Sequence, residues 1–341
     1  MKKNLSEWLE ESKIDFSKNF QLSVRSWLKA GGIIKLFIKP RNENELIKIL
    51  QYLKKNNLNY YILGNISNTI LRDGVIETPI INLSNFNKIH KQENISGLDY
   101  FVESGVSIPR FSNWVSKNNY TGAEGLLGIP GSIGGGIYMN ASSYGDELTK
   151  FIVNVKIIDS QANIFFMKKK DIKLKWRKSI FHNKDFIIVG ANFFIPIKNH
   201  KNNNYIEYKI NKIKGNRSKY QEKTHPNLGS LFATKDIYSD LKFVCFKFFY
   251  FFIYLKILTM LINNKIIKIE ITNLRKKINN RYKEHLGLNS FKNFSLSDKT
   301  INCLINKGAK ESNEAIALVK MINNKTDNRI KLENILLDKI K

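Results

Sequence analysis

An α+β fold of two or three domains is what this sequence predicts, and three observations predict it. The chain has 341 residues, 43% of them hydrophobic, enough for more than one core. Its first hundred residues carry a strand–helix–strand succession of the βαβ kind. After them come several apolar or alternating runs of strand type, and then a stretch whose periodicity is helical.

The first run, IIKLFIKP (Ile33 to Pro40), is short, apolar and stopped by proline, hence a strand. NENELIKILQYLKKNN follows with Leu46, Ile47, Ile49, Leu50 and Leu53 at helical spacing. YYILG is a second strand ending at Gly64, and the carboxyl ends of such strands are where α/β proteins place ligands. TPIINLS and YFVESGVSI read as further strands. IPRFSNWVSKNNY reads as a helix with Phe111, Trp114 and Val115 inward. FIVNVKIID, NIFFMKK and DFIIVGANFFIPI again read as strands, and KNHKNNNY (Lys198 to Tyr205) as a polar linker. Beyond it, YIEYKINKIKGNRSKYQEK is helical. So is NEAIALVKMINNKTDN, with Ile316, Leu318, Val319 and Ile322 on one face.

Lysine and arginine number 56 against 29 acids, a net charge of +27 that favours anionic partners. The excess is lysine scattered among asparagine and isoleucine, with no compact basic block interleaved with aromatics. No nucleic-acid partner is therefore expected. Two cysteines exclude a disulfide framework and fit a reducing, cytoplasmic compartment. The five histidines are dispersed, so no metal site is expected. The N-terminus carries acids and no apolar core, unlike a signal peptide. The run Phe243 to Ile262 has the length to cross a bilayer. It contains Lys247 and Lys256, however, each costly at the membrane centre. A buried or surface-associated helix is the favoured reading, and contact with a membrane through 243–262 the lesser one.

Three stretches carry chemistry. In ILGNISNTILRDG a strand ends at Gly64, and a turn of Asn65, Ser67, Asn68 and Thr69 offers N–H and hydroxyl donors to a phosphate. An ordinary Asn/Ser turn is the competing reading. In GLLGIPGSIGGGIYMNASSYG, seven of twenty-one residues are glycine. Bare backbone there admits close approach of a flat ligand or a pyrophosphate. Ile129 and Pro130 would form an apolar shelf, and Asn140 a polar handle. The stretch is too apolar for a flexible linker and matches neither a P-loop nor a Gly-x-Gly-x-x-Gly fingerprint. In HPNLGSLFAT, Ser230 sits on a tight turn outside any Gly-x-Ser-x-Gly elbow. It is a proton donor or a structural turn serine.

Taken in order, these pieces resemble the UDP-N-acetylmuramate dehydrogenase (UDP-N-acetylenolpyruvoylglucosamine reductase) family of flavoproteins. SWLKAGG is similar to its opening segment and LGNISNTIL to its Gly-Gly-Gly-Ser-Asn-Leu-Leu phosphate loop. The glycine stretch is similar to its Gly-Ile-Pro-Gly-Ser/Thr-x-Gly-Gly segment. WRKSIF resembles its Tyr-Arg-x-Ser-x-Phe, and NLGSLF its Ala-Gly-Ser-x-Phe. The likeness spans about Asn19 to Phe232.

The resemblance implies two α/β FAD-binding subdomains of the vanillyl-alcohol-oxidase/p-cresol-methylhydroxylase type, at 19–83 and 84–198, and a divergent substrate-binding domain at 205–341. It implies FAD bound by Gly64, Asn65, Ser67, Asn68 and Thr69, and by Ile129, Pro130, Gly131, Ser132, Gly134, Gly135 and Asn140. It implies NADPH as reductant and a nucleotide-sugar enolpyruvyl ether as substrate. Arg177 would stabilise the developing carbanion and Ser230 would protonate it.

A glutamate also belongs to that set. Aligned on Leu332, its position holds Ile335. Glu333, two residues earlier, is either its substitute or a surface residue. The pattern departs further at Asn65–Ile66, where the family has Gly-Gly, at Ala233–Thr234, and over Lys235 to Ser312. A flavoprotein acting on another nucleotide sugar in surface-polysaccharide synthesis is the alternative reading. A non-enzymatic protein associated with membrane or nucleic acid is a third. Oligomeric state is left open by the sequence.

Overall fold

Ile33–Ile38 is the centre of the first sheet in this computed structural model, which describes residues 4–92, 96–242, 244, 246–264 and 271–340. Phe243 and Cys245, read as part of an apolar run, lie outside the described residues, as does the start of the N-terminal segment at Met1 to Lys3. The central strand pairs antiparallel with Phe16–Gln21 and parallel with Val75–Ile76 and Ile80–Ile81. Tyr61–Ile62 continues the sheet beyond Ile80–Ile81. The expected helix forms at Glu43–Lys55. Asn42 caps it by accepting from the Glu45 N–H, and Leu46, Ile49, Leu50 and Leu53 are its buried face. A further helix, Leu5–Glu11, adds Leu5 and Leu9 to the same core.

The second sheet is antiparallel throughout. Its strand order is Ile164–Lys168, Ile152–Ile158, Ile187–Pro196, Gly97–Glu103 and Ile89–Gln92. Alternation along Gly97–Glu103 buries Leu98, Tyr100 and Val102. Helix Ile108–Lys117 lays Phe111 and Val115 on that face, with Trp114 partly buried beside them. The strand expected over YFVESGVSI stops at Glu103, because the backbone turns where Gly105 passes close to its neighbours. A Cβ on Gly105 would lie 2.1 Å from the Leu83 carbonyl oxygen. The linker expected over Lys198 to Tyr205 is shorter as well. Asn202 accepts from the Tyr205 N–H and starts helix Asn203–Tyr220 inside it.

The remaining chain builds a third core. It packs helices Phe246–Asn263, Ile271–His285 and Asn313–Lys325 with the hairpin Phe294–Leu296 and Leu304–Asn306. Leu28, Ala30 and Ile70 enter this core from the first part of the chain. The tail then crosses back, and Ile335–Leu337 pairs parallel with Thr69–Leu71. Among the described residues no helix is long and apolar enough to cross a membrane.

Ile66, at one of the positions where glycine was expected, is a β-branched residue with φ +52°. Its side chain is buried with Leu22, Leu63 and Leu71. The left-handed backbone costs about 1–2 kcal/mol for such a residue, while deleting a buried isoleucine costs about 2–5 kcal/mol. Packing outweighs strain, so Ile66→Gly is expected to lower stability by about 1–3 kcal/mol in a urea titration. An unchanged or raised midpoint would mean that strain dominates there.

Candidate functional site

The two glycine-containing loops meet. The first is anchored by Asn82, a buried amide that donates to the carbonyls of Leu63 (2.7 Å) and Gly64 (2.8 Å). The second is stitched to the edge of the antiparallel sheet. Ile108 N–H donates to the Gly131 carbonyl, Ile133 N–H to Val106 and Gly134 N–H to Ser104. A Cβ on Gly64 would stand 2.9 Å from the Ser132 hydroxyl, so the loops are in contact there. Ser132 caps the short helix Ile133–Tyr138 by accepting from the Gly135 N–H.

The glycines divide into two groups. Gly125, Gly128 and Gly136 are bare because the protein itself presses on them. Added Cβ atoms would fall 2.2 Å from the Ser143 carbonyl, 2.3 Å from the Arg217 guanidinium and 2.4 Å from Leu148. Gly135 is open, with only the Ser132 hydroxyl within contact range at 3.5 Å, and Gly131 is bounded by Ile108 at 3.2 Å. The open backbone of Gly135, with Gly131 packed on Ile108 next to it, forms beside the Gly64 loop a cradle with room for a flat group. One buried polar atom near it, the Ser104 hydroxyl, has no protein partner.

Other expected cofactor contacts are placed differently. Thr69 is buried in the strand that pairs with Ile335. The Asn68 amide faces the chain's tail. It donates to the Glu333 carbonyl (3.1 Å) and accepts from the Asn334 amide (2.6 Å). Asn140 donates to the Lys175 carbonyl and accepts from the Thr149 hydroxyl, so its amide is spent within the protein.

A cavity of about 1400 Å³ opens beside the two loops. Trp27, Asn65, Pro130, Ser230, Lys235 and Arg275 are among the residues that line it. Drug-sized ligands occupy about 300–1,000 Å³, so this volume has room for a cofactor and a substrate together. Ser230 is exposed on its turn. Asn302 holds the following residues, donating to the Phe232 carbonyl and accepting from the Phe232 N–H, and Asn334 donates to the Ser230 carbonyl.

Arg177 and Glu333 come together beside Ser230. Glu333 N–H donates to the Leu231 carbonyl, so it sits one residue across from Ser230. Arg177 Nε lies 2.9 Å from Glu333 Oε1, with the two side chains 16% and 15% exposed. The contact is an ion pair and not an aligned hydrogen bond, because the Arg177 Nε–H lacks a well-directed acceptor. Arg177 also donates from Nη1 to the Ser142 hydroxyl and stacks near Trp176. Burial raises the Glu333 carboxyl above the usual range, against the lowering pull of Arg177. Ile335, at the aligned position, is a strand residue paired with Thr69. Arg177 and Glu333 are not among the residues that line the cavity.

Sequence reasoning missed Arg217, which lies in a polar helix of a basic chain with no motif to mark it. Its guanidinium donates to the carbonyls of Gly125 (2.7 Å) and Gly128 (3.2 Å) and to the Ser143 hydroxyl (2.8 Å), and it stands over the Tyr144 ring. Burial lowers its pKa, with Tyr144 working the other way. Glu124, fully buried in the same segment, accepts from Thr121 and the Gly122 N–H and faces Lys209 at 3.3 Å. Burial opposes its ionisation. The hydrogen bonds and Lys209 outweigh burial and hold the carboxyl below the ordinary value.

Residues 34–167 match the family described as FAD binding domain. The chain is 30% identical over 236 residues to UDP-N-acetylenolpyruvoylglucosamine reductase of Clostridium perfringens (strain SM101 / Type A), covering 69% of this chain and 75% of that one. It is 28% identical over 242 residues to the protein of the same name from Clostridium novyi (strain NT), covering 71% and 76%. The crystal structure of UDP-N-acetylenolpyruvylglucosamine reductase from Thermus caldophilus superposes with a TM-score of 0.64 at 16% identity, over 95% of this chain and 98% of that one. The fold is thus α+β, with a flavin-binding part of the type expected.

Arg217→Ala strips donors from two backbone carbonyls and a hydroxyl. It is expected to cost about 2–4 kcal/mol and to weaken flavin retention on gel filtration; full retention at wild-type stability would remove the grip assigned to it. The raised Glu333 pKa has a definite sign in stability. A carboxyl whose folded pKa exceeds its unfolded value stabilises the fold while protonated, and that contribution is lost as pH rises through the folded pKa. The melting temperature of Glu333→Gln is therefore expected to gain on wild type as pH rises above about 4. A gain on acidification would show that Arg177 dominates over burial.

Proposed function

This chain belongs to the UDP-N-acetylenolpyruvoylglucosamine reductase family and is a flavin-dependent reductase; from that premise we propose that it reduces UDP-N-acetylglucosamine enolpyruvate to UDP-N-acetylmuramate, a step of peptidoglycan precursor synthesis, with NADPH as reductant. We also propose the three-domain division at 19–83, 84–198 and 205–341, with the tail of the last crossing to the first. The observation that carries the reading is the meeting of Glu333 with Arg177 on a segment hydrogen-bonded to the Ser230 turn. Arg177 and Ser230 come from motifs lying far apart in the chain, and their nearness to Glu333 supports Glu333 as the substitute for the family's glutamate.

FAD, when bound, supplies hydride transfer. Gly64, Asn65, Ser67, Gly131, Ser132 and Gly135 would hold it, through open backbone and short polar side chains. Ile129 and Pro130 would flank it, and Gly134 would let the backbone pass Ser104. Asn68, Thr69 and Asn140 would shape the loops from behind. Arg177 meets a substrate carboxylate with parallel N–H donors and stabilises charge that develops beside it. Glu333, paired with Arg177 Nε at 2.9 Å, holds the guanidinium in that position. Ser230 delivers the proton from its hydroxyl to the carbon next to the carboxylate, and solvent restores it.

A second reading has its own observation. Lys235, Tyr238 and Arg275 line the cavity from the segment that departs from the family's pattern. They favour a different nucleotide-sugar acceptor on the same flavin half. An anaerobic half-reaction separates the two. NADPH is expected to bleach the visible flavin band, and the enolpyruvyl nucleotide sugar to restore it. A band that stays bleached assigns another acceptor. Ser230→Ala is expected to keep the flavin and its bleaching while slowing re-oxidation about 10²-fold or more; re-oxidation at the wild-type rate would remove Ser230 from proton transfer.

A further inference from the structure

Helix Phe246–Asn263 has 18 residues and two apolar faces. One face packs inward, with Phe248 and Leu255 buried and Phe251, Leu258 and Ile262 against the third core. The other is bare. Phe246, Phe249, Tyr250, Ile253, Tyr254, Ile257 and Met260 are 38 to 72% exposed. Their spacing of three and four residues makes one continuous stripe from Phe246 to Met260, about 21 Å long. A contiguous apolar patch on this scale marks an interaction surface.

Charge selects what would cover it. Between Asp240 and Glu270 the sequence has five lysines and no acidic residue. Two of them, both exposed, border the stripe on opposite edges. Lys247 lies one turn from Tyr250 and two from Tyr254, and Lys256 lies one turn from Ile253 and from Met260. Lys242 and Lys256 both reach the Phe252 ring, at 4.7 and 5.4 Å. The next helix adds the exposed Lys276 and Lys277. A second copy of the chain would bring a +27 molecule and the same lysine borders against these, which opposes pairing face to face. An anionic bilayer is complementary in both respects. Lysine ammonium groups reach phosphate while aromatic and aliphatic side chains enter the headgroup–acyl boundary, and tyrosine suits that boundary with an apolar ring and a polar tip.

We propose that this face is a peripheral docking surface for an anionic lipid bilayer, with the helix lying in the plane of the interface and not spanning it. The flavin-loaded full chain is tested by sedimentation with phosphatidylglycerol vesicles and, in parallel, phosphatidylcholine vesicles. Binding about tenfold or more tighter to phosphatidylglycerol, weakened by salt, is expected. The variant Phe249→Gln/Tyr254→Gln/Ile257→Gln is expected to stay in the supernatant while keeping its flavin and turnover. A second variant, Lys247→Gln/Lys256→Gln, leaves the stripe whole and is expected to lose the preference for phosphatidylglycerol. Wild-type protein that remains soluble with phosphatidylglycerol vesicles overturns the proposal. So does a triple variant that pellets as well as wild type. A dimer on light scattering that the triple variant splits also overturns it, by assigning the face to a second copy.

Discussion

The parallel pairing of Ile335–Leu337 with Thr69–Leu71 brings the last residues of the chain against a loop more than 260 positions earlier, and the geometry of the site follows from it. Backbone hydrogen bonds of a strand ladder fix register as well as proximity. With Ile335 opposite Thr69, Asn334 reaches Asn68 and the Ser230 carbonyl, and Glu333 reaches Leu231 and Arg177. A slip of one residue would reverse the faces of all three. Glu333 is thus positioned by a ladder that begins two residues later.

Around that ladder the charges are arranged unevenly. Glu124 and Arg217 are buried structural charges, each with several hydrogen-bond partners; Glu124 fixes the turn just before the glycine segment and Arg217 holds the segment itself. Hydrogen-bonded buried charges of this kind rigidify what they touch. Arg177 and Glu333 meet in an ion pair that is close but poorly directed, and the Nε of Arg177, like that of Arg217, has no aligned acceptor. Spare donor capacity on a guanidinium is useful only where a ligand can take it, and the neighbouring Ser230 turn is where the cavity opens.

Much of this was legible in the residues. Periodicity located the helix Glu43–Lys55 and the strands of the antiparallel sheet, because amphipathic patterns are local. Boundaries shifted where a tight approach or a cap intervened, at Gly105 and Asn202. The ordered motifs placed the flavin-binding part and pointed to Arg177 and Ser230. They left Glu333 undecided between substitute and surface residue, since a count along the chain favours neither. They assigned Gly131, Gly134 and Gly135 to the cofactor and gave no reason for the other glycines of the stretch, three of which, Gly125, Gly128 and Gly136, accommodate Ser143, Arg217 and Leu148.

By itself, then, the sequence determined the α+β class, the two glycine loops, the family and the basic charge, all properties of local pattern or of composition. Tertiary structure alone decided the pairing of Glu333 with Arg177, the grip of Arg217, the inward turn of the Asn68 and Asn140 amides and the bare face of Phe246–Asn263. Each of these depends on which distant segments meet. A contact between residues far apart leaves no period, cap or spacing in the chain, and exposure of an apolar helix face is settled only when every neighbour has taken its place.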